Sequence, residues 1–381
     1  MTIKRVALAG WFGSDNLGDE LIAKALLEQL LTRDVEPLVV SVDAERTRQL
    51  HGVDAPNVNV PKINVVEHRR LRQQKDLIKA LGDTDAMLLS GGIVQAETSR
   101  WNLPFHLSRT WKEARPFSAV GMGVGRVDSR LGQLMVRASL RRSEQNVVRD
   151  ISSADRLRRW GLDNVSVGAD PAFGLGVEAV ESDDTFCVVL RRPNQAGSSW
   201  VGRKLRHRVF KGWRTAAGRS SSKLDKDFVK SCASAVNSIA ETTGLQPRFV
   251  ALQASRDEPL HRAVAEQLDT DSSQVVPSLE SVLDEIGRSK LVVSMRYHGA
   301  VAALLHHRPA VLLDYSPKMI SLACEGGGWA STLDPLHLDE AMVKFAVDDA
   351  FTHAPGTAEA LGDLQTRLKV NAEAIDRLLG S

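Results

Sequence analysis

The chain opens on an unbroken apolar run, Arg5-Val-Ala-Leu-Ala-Gly10, closed by a polar turn, Gly13-Ser-Asp-Asn-Leu-Gly18. Apolar residues then recur at Leu21, Ile22, Ala25, Leu26 and Leu30, the spacing of one helix face over residues 19–31. Further short apolar runs at 37–42, 63–66, 86–89, 118–121, 146–148 and 165–167 read as strands, with helix-period stretches between them. A second series starts at 185–191 and continues at 248–252, 291–294 and 310–313. Strand, helix, strand in repetition predicts parallel sheets covered on both faces. Between the two series, residues 174–184 are acidic, glycine-bearing and non-periodic, the composition of a linker. The pattern therefore predicts two α/β domains, 1–178 and 179–350. A polar-faced helix at 361–379, within a C-terminal segment 351–381, is expected to pack back across them. Both domains read as doubly wound, Rossmann-like units facing across a cleft. In such units ligands bind just beyond the carboxyl ends of the strands.

Length and composition agree with this division. A chain of 381 residues exceeds what one ordinary core organises. At 43% hydrophobic and 25% charged, each half can bury a core of its own. The net charge of +2 names no partner. Cys187, Cys232 and Cys324 form neither a metal spacing nor a disulfide framework, and are expected as buried free thiols. No signal-peptide pattern precedes the first strand, and no apolar stretch is long enough to span a bilayer. The expected location is the cytoplasm.

Charge is informative locally. The segment 194–226 carries eight lysines and arginines, from Arg203 to Lys223, before its first acid, Asp225. Trp200, Phe210 and Trp213 are interleaved. A solvated loop accounts for this as well as a basic arm does. As an arm it would meet the phosphates of a lipid-linked sugar or of the inner face of an anionic membrane. Nucleic acid ranks last, since no nucleic-acid-binding fold surrounds it.

The first turn delivers its residues to a helix N-terminus, where free N–H groups favour an anion. It is neither the dinucleotide fingerprint nor a P-loop. Alone, Asp15 or Asn16 reads as an N-cap, with Asp19 and Glu20 complementing the dipole. The string Asn16-Leu-Gly18-Asp19-Glu20 nevertheless resembles the N-terminal signature of the polysaccharide pyruvyl transferases. Other pieces follow in the family's order. Ser90-Gly91-Gly92-Ile-Val-Gln95-Ala96-Glu97-Thr-Ser99 matches a glycine-rich strand end, with Ser90 in place of a glycine and Ala96 in place of an acid, Glu97 standing one position later. Gly121-Met-Gly123-Val-Gly125, Val148-Arg149-Asp150 with Ser153, Ala169-Asp170-Pro171 and Leu190-Arg191 also fit. The sharpest match is Ser294-Met-Arg296-Tyr-His298, followed by Tyr315-Ser-Pro-Lys318.

The resemblance implies a fold similar to the two-domain GT-B glycosyltransferases. It implies transfer of a pyruvyl group from phosphoenolpyruvate to two sugar hydroxyls, forming a ketal, with no cofactor and no obligatory metal. Phosphoenolpyruvate carries a carboxylate and a phosphate, and arginine's planar fork suits both. Arg191 and Arg296, each at a strand end, are the expected anion-binding residues, with Lys318 assisting. His298, two residues past Arg296, is the candidate acid–base group; on an extended backbone both side chains would point the same way. His306 and His307 read as helix-end residues. Asn16, Asp19, Gly91, Gly92 and Glu97 are expected to bind the acceptor sugar, free or lipid-linked, or to complete the anion pocket. Two other classes compete: a nucleotide-sugar glycosyltransferase of the same layout, and a non-catalytic glycan- or anion-binding homologue, which Ser90 and Ala96 favour.

Overall fold

The computed structural model describes residues 3–53, 55, 79, 81–92, 94, 115–125, 127, 130–192, 226–314, 317–325, 327–335 and 338–380. The run 63–66 and most of the basic segment 194–226 lie outside them. Two compact units emerge: Met1–Val177 with Ala358–Ser381, and Glu178–Thr357.

In the first unit, six strands form one sheet: β1 (Arg5–Phe12), β2 (Glu36–Ser41), β3 (Ala86–Leu89), β4 (Phe117–Met122), β5 (Asn146–Val148) and β6 (Val165–Val167), in the order β2-β1-β3-β4-β5-β6. Every pairing is parallel. Along β1, Val6 and Leu8 enter one apolar cluster while Ala7 and Ala9 enter another. Successive side chains point to opposite faces, so both faces are buried and the run reads as continuously apolar. Helices α1 (Leu17–Leu31) and α2 (Ala44–His51) follow β1 and β2; α3 (Arg130–Leu140) and α4 (Ile151–Arg159) follow β4 and β5. Leu26 and Leu30 of α1 cover one face, and Val136 and Leu140 of α3 cover the other.

In the second unit the strands are β7 (Asp183–Val189), β8 (Gln246–Val250), β9 (Ser273–Val275), β10 (Ser289–Ser294), β11 (Ala310–Leu313) and β12 (Ala330–Leu333), in the order β12-β11-β10-β7-β8-β9. All are parallel. The helices are α5 (Lys226–Thr243), α6 (Ala254–Ala265), α7 (Val282–Gly287), α8 (Tyr297–Leu305), α9 (Pro317–Glu325) and α10 (Glu340–His353). Phe186 and Val188 of β7 pack against Phe228, Cys232 and Val236 of α5.

The last helix, α11 (Thr357–Leu379), belongs to the first unit. Ala374, Ile375 and Leu378 join the cluster beneath β1. Asn371 pairs with the backbone of Ala169, its Nδ2 donating to the carbonyl at 2.8 Å and its Oδ1 accepting from the N–H at 3.3 Å. Of the three thiols, Cys187 and Cys232 are buried but Cys324 is exposed, against expectation. Cys324 ends α9 beside the glycine-rich turn, where no layer covers it.

In each sheet the chain fills one side of its first strand and then crosses to the other side. After β2, on one side of β1, it crosses to β3 on the other. After β8 and β9, on one side of β7, it crosses to β10 on the other. Such a reversal opens a crevice beyond the carboxyl ends of the two central strands.

Candidate functional site

The crevice of the second unit lies between the ends of β7 and β10, and these ends carry Arg191 and Arg296. Arg296 is the N-cap of α8, with extended backbone, and is only 5% exposed. Its turn is fixed by Ser294, whose hydroxyl accepts the Arg296 N–H at 3.1 Å and donates to the Arg296 carbonyl at 2.8 Å. Its Nη2 donates to Asp257 Oδ1 and, at 3.1 Å, to Gln253 Oε1. Asp257 is fully buried, and its Oδ2 accepts the Gln253 N–H at 2.9 Å. Burial raises the Asp257 carboxyl above its ordinary range, and the charges of Arg296 and Arg191 oppose that rise. Arg191 is therefore an electrostatic neighbour of the same carboxylate.

His298 stands in the first turn of α8, which corrects the expectation of an extended Arg296–His298 pair: helix begins at Tyr297. Helical spacing, not strand alternation, sets the direction of its side chain. The His298 ring meets Tyr297 edge-on, centroids 5.5 Å apart. Lys318 Nζ lies 5.9 Å from the centroid of the same tyrosine ring, within cation–π range. Tyr297 thus links Lys318 to His298. His306 caps the end of α8, as read.

One more residue holds this crevice together. His261, one turn beyond Asp257 on α6, is bonded through Nε2 to the Leu190 backbone, 3.1 Å from its oxygen and 3.2 Å from its nitrogen. Burial lowers the His261 pKa to about 4, so the ring is neutral at pH 7 and anchors the residue that precedes Arg191.

In the first unit the crevice lies between the ends of β1 and β3. Asn16 caps α1, and its Nδ2 donates to Asp19 Oδ2 at 2.5 Å rather than closing a side-chain cap on the backbone. Gly91 has φ +81°, and a Cβ there would come within 3.9 Å of Asp19 Oδ1. Asn16, Asp19 and Gly91 therefore share one corner, with Gly92 next along the chain. Gly13 lies close to its own chain: with φ +75°, a Cβ there would sit 2.7 Å from the Asp43 carbonyl oxygen. Glu20 is fully buried and paired with His51 at 2.9 Å, and burial raises its carboxyl.

The serine that replaces a family glycine is accommodated locally: Ser90 is buried and donates to the Val120 carbonyl at 2.6 Å. Ala96 and Glu97 lie outside the described residues. The Arg149 and Asp170 motifs form a buried ion pair at 2.9 Å, while Asp150 caps α4 by accepting the Ser153 N–H at 2.7 Å. These residues brace the strand ends of the first sheet. Sequence reading missed Gln253, Asp257 and His261. Their signal was available: 257, 260, 261 and 264 fall on one helix face, so an aspartate and a histidine share the stripe of Leu260 and Val264.

Among the described residues no group of side chains could hold a metal ion, and no helix is long and apolar enough to cross a membrane. Two parallel six-stranded sheets with interleaved helices, each with a topological switch point, define a Rossmann-type, GT-B-class fold. The chain is a member of the polysaccharide pyruvyl transferase family, whose profile matches residues 16–317. No curated protein is significantly similar to it in sequence. Among solved structures it is similar in fold to MnaA of S. aureus, determined with UDP (12% identity, 94% of this chain and 91% of that chain, TM-score 0.61). It is similar likewise to the UDP-GlcNAc 2-epimerase of Neisseria meningitidis bound to UDP-GlcNAc (12%, 99% and 100%, 0.54) and to the spinosyn rhamnosyltransferase SpnG (13%, 99% and 100%, 0.54).

Proposed function

We propose that the protein transfers the pyruvyl group of phosphoenolpyruvate to two hydroxyls of a sugar in a polysaccharide or lipid-linked precursor. The observation that carries this reading is the convergence of Arg191 and Arg296 on the β7–β10 switch point, with His298 in the helix turn that Arg296 caps. Arg191, Arg296 and Lys318 are the proposed partners of the donor's carboxylate and phosphate. Positioned cations stabilise charge that develops on the leaving phosphate.

The chemistry then runs as follows. A proton reaches the methylene carbon, and the central carbon becomes electrophilic. One sugar hydroxyl adds there, the bond to the phosphate oxygen breaks, and the second hydroxyl closes the ketal. Of the two hydroxyl protons, one is balanced by the new methyl group and the other leaves with phosphate. His298 is the proposed proton carrier, since an imidazole exchanges protons near neutral pH. Asn16, Asp19, Gly91 and Gly92 are the proposed acceptor-side residues of the first unit, together with Glu97. The basic segment 194–226 is the proposed contact for an anionic lipid or lipid-linked acceptor, which would bring the protein to the inner face of the membrane.

The test is phosphate release from phosphoenolpyruvate across a panel of hexose acceptors, with mass spectrometry of the product. The UDP-bound fold relatives motivate a second arm. Phosphoenolpyruvate should raise the melting temperature, whereas stabilisation by nucleotide sugars alone would favour a nucleotide-sugar enzyme.

A further inference from the structure

One helix face holds both arginine-bearing strand ends from behind. Asp257 and His261 lie one turn apart on α6; the first grips Arg296 and the second grips Leu190, next to Arg191. The grip on Arg296 has a geometric consequence. Nη2 carries two hydrogens, and Asp257 and Gln253 engage this one nitrogen. Both planar edges of a guanidinium, Nε with Nη2 and Nη1 with Nη2, include that nitrogen. Arg296 is therefore left with the two N–H groups of Nη1 and the one of Nε, which share no bidentate edge, and Nε is buried with no partner among the described residues. An anion reaching Arg296 would meet point donors instead of a fork, unlike the bidentate pairing that arginine usually offers. The charge balance changes as well. The buried Asp257 carboxylate is coupled to both Arg191 and Arg296 and lowers by one the positive charge they present.

We propose that Asp257 is a positioning residue: it fixes the Arg296 guanidinium through Nη2 and offsets one cationic charge, so that the site orients the donor's phosphate yet releases it after transfer. This rests on the pyruvyl-transfer reading. Without this carboxylate the site, more positive by one charge, would hold inorganic phosphate more tightly and turn over more slowly.

The test compares full-length wild type, Asp257→Asn and Gln253→Ala by steady-state pyruvyl transfer and by calorimetric titration with inorganic phosphate. Asp257→Asn keeps the size and one acceptor but removes the charge. Its kcat should fall roughly 10- to 100-fold, the cost of a misplaced catalytic partner. Its phosphate affinity should rise about 3- to 30-fold, as expected for losing a carboxylate near the bound anion at an effective dielectric of about 20. Gln253→Ala removes a positional contact without changing charge, so kcat should fall while phosphate affinity stays put. A residue that merely supported the fold would weaken phosphate binding and kcat together. Unchanged or weaker phosphate affinity in Asp257→Asn, or a wild-type kcat, overturns the proposal. Should Asp257→Asn fail to fold, Gln253→Ala decides the positioning claim: a wild-type kcat sinks it. If the wild type releases no phosphate from phosphoenolpyruvate, the reaction reading has failed. The charge offset is still decided by the phosphate affinities.

Discussion

At the residue scale, the positions of Arg191, Arg296 and His298 just beyond strand ends were legible, because strand ends can be located by pattern. What was not legible is how they are held. The stretch Ser255-Arg-Asp-Glu-Pro-Leu-His-Arg262 reads by composition as a charged, proline-bearing segment, and only the helical spacing of Asp257 and His261 with Leu260 and Val264 marks them as buried. Two expectations belong here. His298→Gln should retain much of its phosphoenolpyruvate affinity and lose turnover by roughly 10²–10⁴-fold, the usual worth of a positioned acid–base group. Separate binding and single-turnover measurements check this, and a wild-type chemical rate would remove His298 from proton transfer. The second concerns pH. His261 is held neutral, with its pKa lowered from 6.5 to about 4. As pH falls, the unfolded chain takes up this proton first. The contribution is fully present above pH 6.5 and is lost between 6.5 and about 4, amounting to about 3 kcal/mol. His261→Gln keeps a polar partner for Leu190 but cannot titrate. Its unfolding midpoint, followed by calorimetry between those pH values, should fall less than that of the wild type. Parallel loss in both proteins would contradict a neutral His261.

At the element scale, ten of the twelve described strands coincide with apolar runs in the sequence. The two that do not are instructive. The strand β9 has three residues, Ser-Gln-Val, and none of them is buried. The strand β12, Ala-Ser-Thr-Leu, is short and half polar. Both lie at sheet edges, where one side needs no apolar neighbour and pairing alone defines the element. The Arg296–His298 stretch was misread for a related reason. Only Met295 and Arg296 separate the strand end from the helix start there, and boundaries are the least determined part of a sequence pattern. The C-terminal helix α11 was read as an element, but its polar attachment to the first unit includes Asn371, an ordinary polar residue in sequence. Replacing Asn371 by Ala strands the buried N–H and C=O of Ala169. The cost should be about 2–4 kcal/mol, from two unsatisfied buried groups. The unfolding transition of the first unit should move down, while that of the second unit stays fixed. An equal shift of both, or of neither, would contradict the assignment of α11 to the first unit.

At the scale of the whole molecule, the chain's two units repeat one solution: a parallel six-stranded sheet with a switch point. Family membership implies a transferase. The donor is the point at which a measurement decides most. Incubation of the full-length protein with phosphoenolpyruvate and a panel of sugar acceptors, followed by mass spectrometry, reads the reaction directly. The account predicts an acceptor heavier by one pyruvic acid less one water, formed with one phosphate released per product and lost in His298→Gln. Phosphate release without that product, or an acceptor modified only when a nucleotide sugar is supplied, would contradict it.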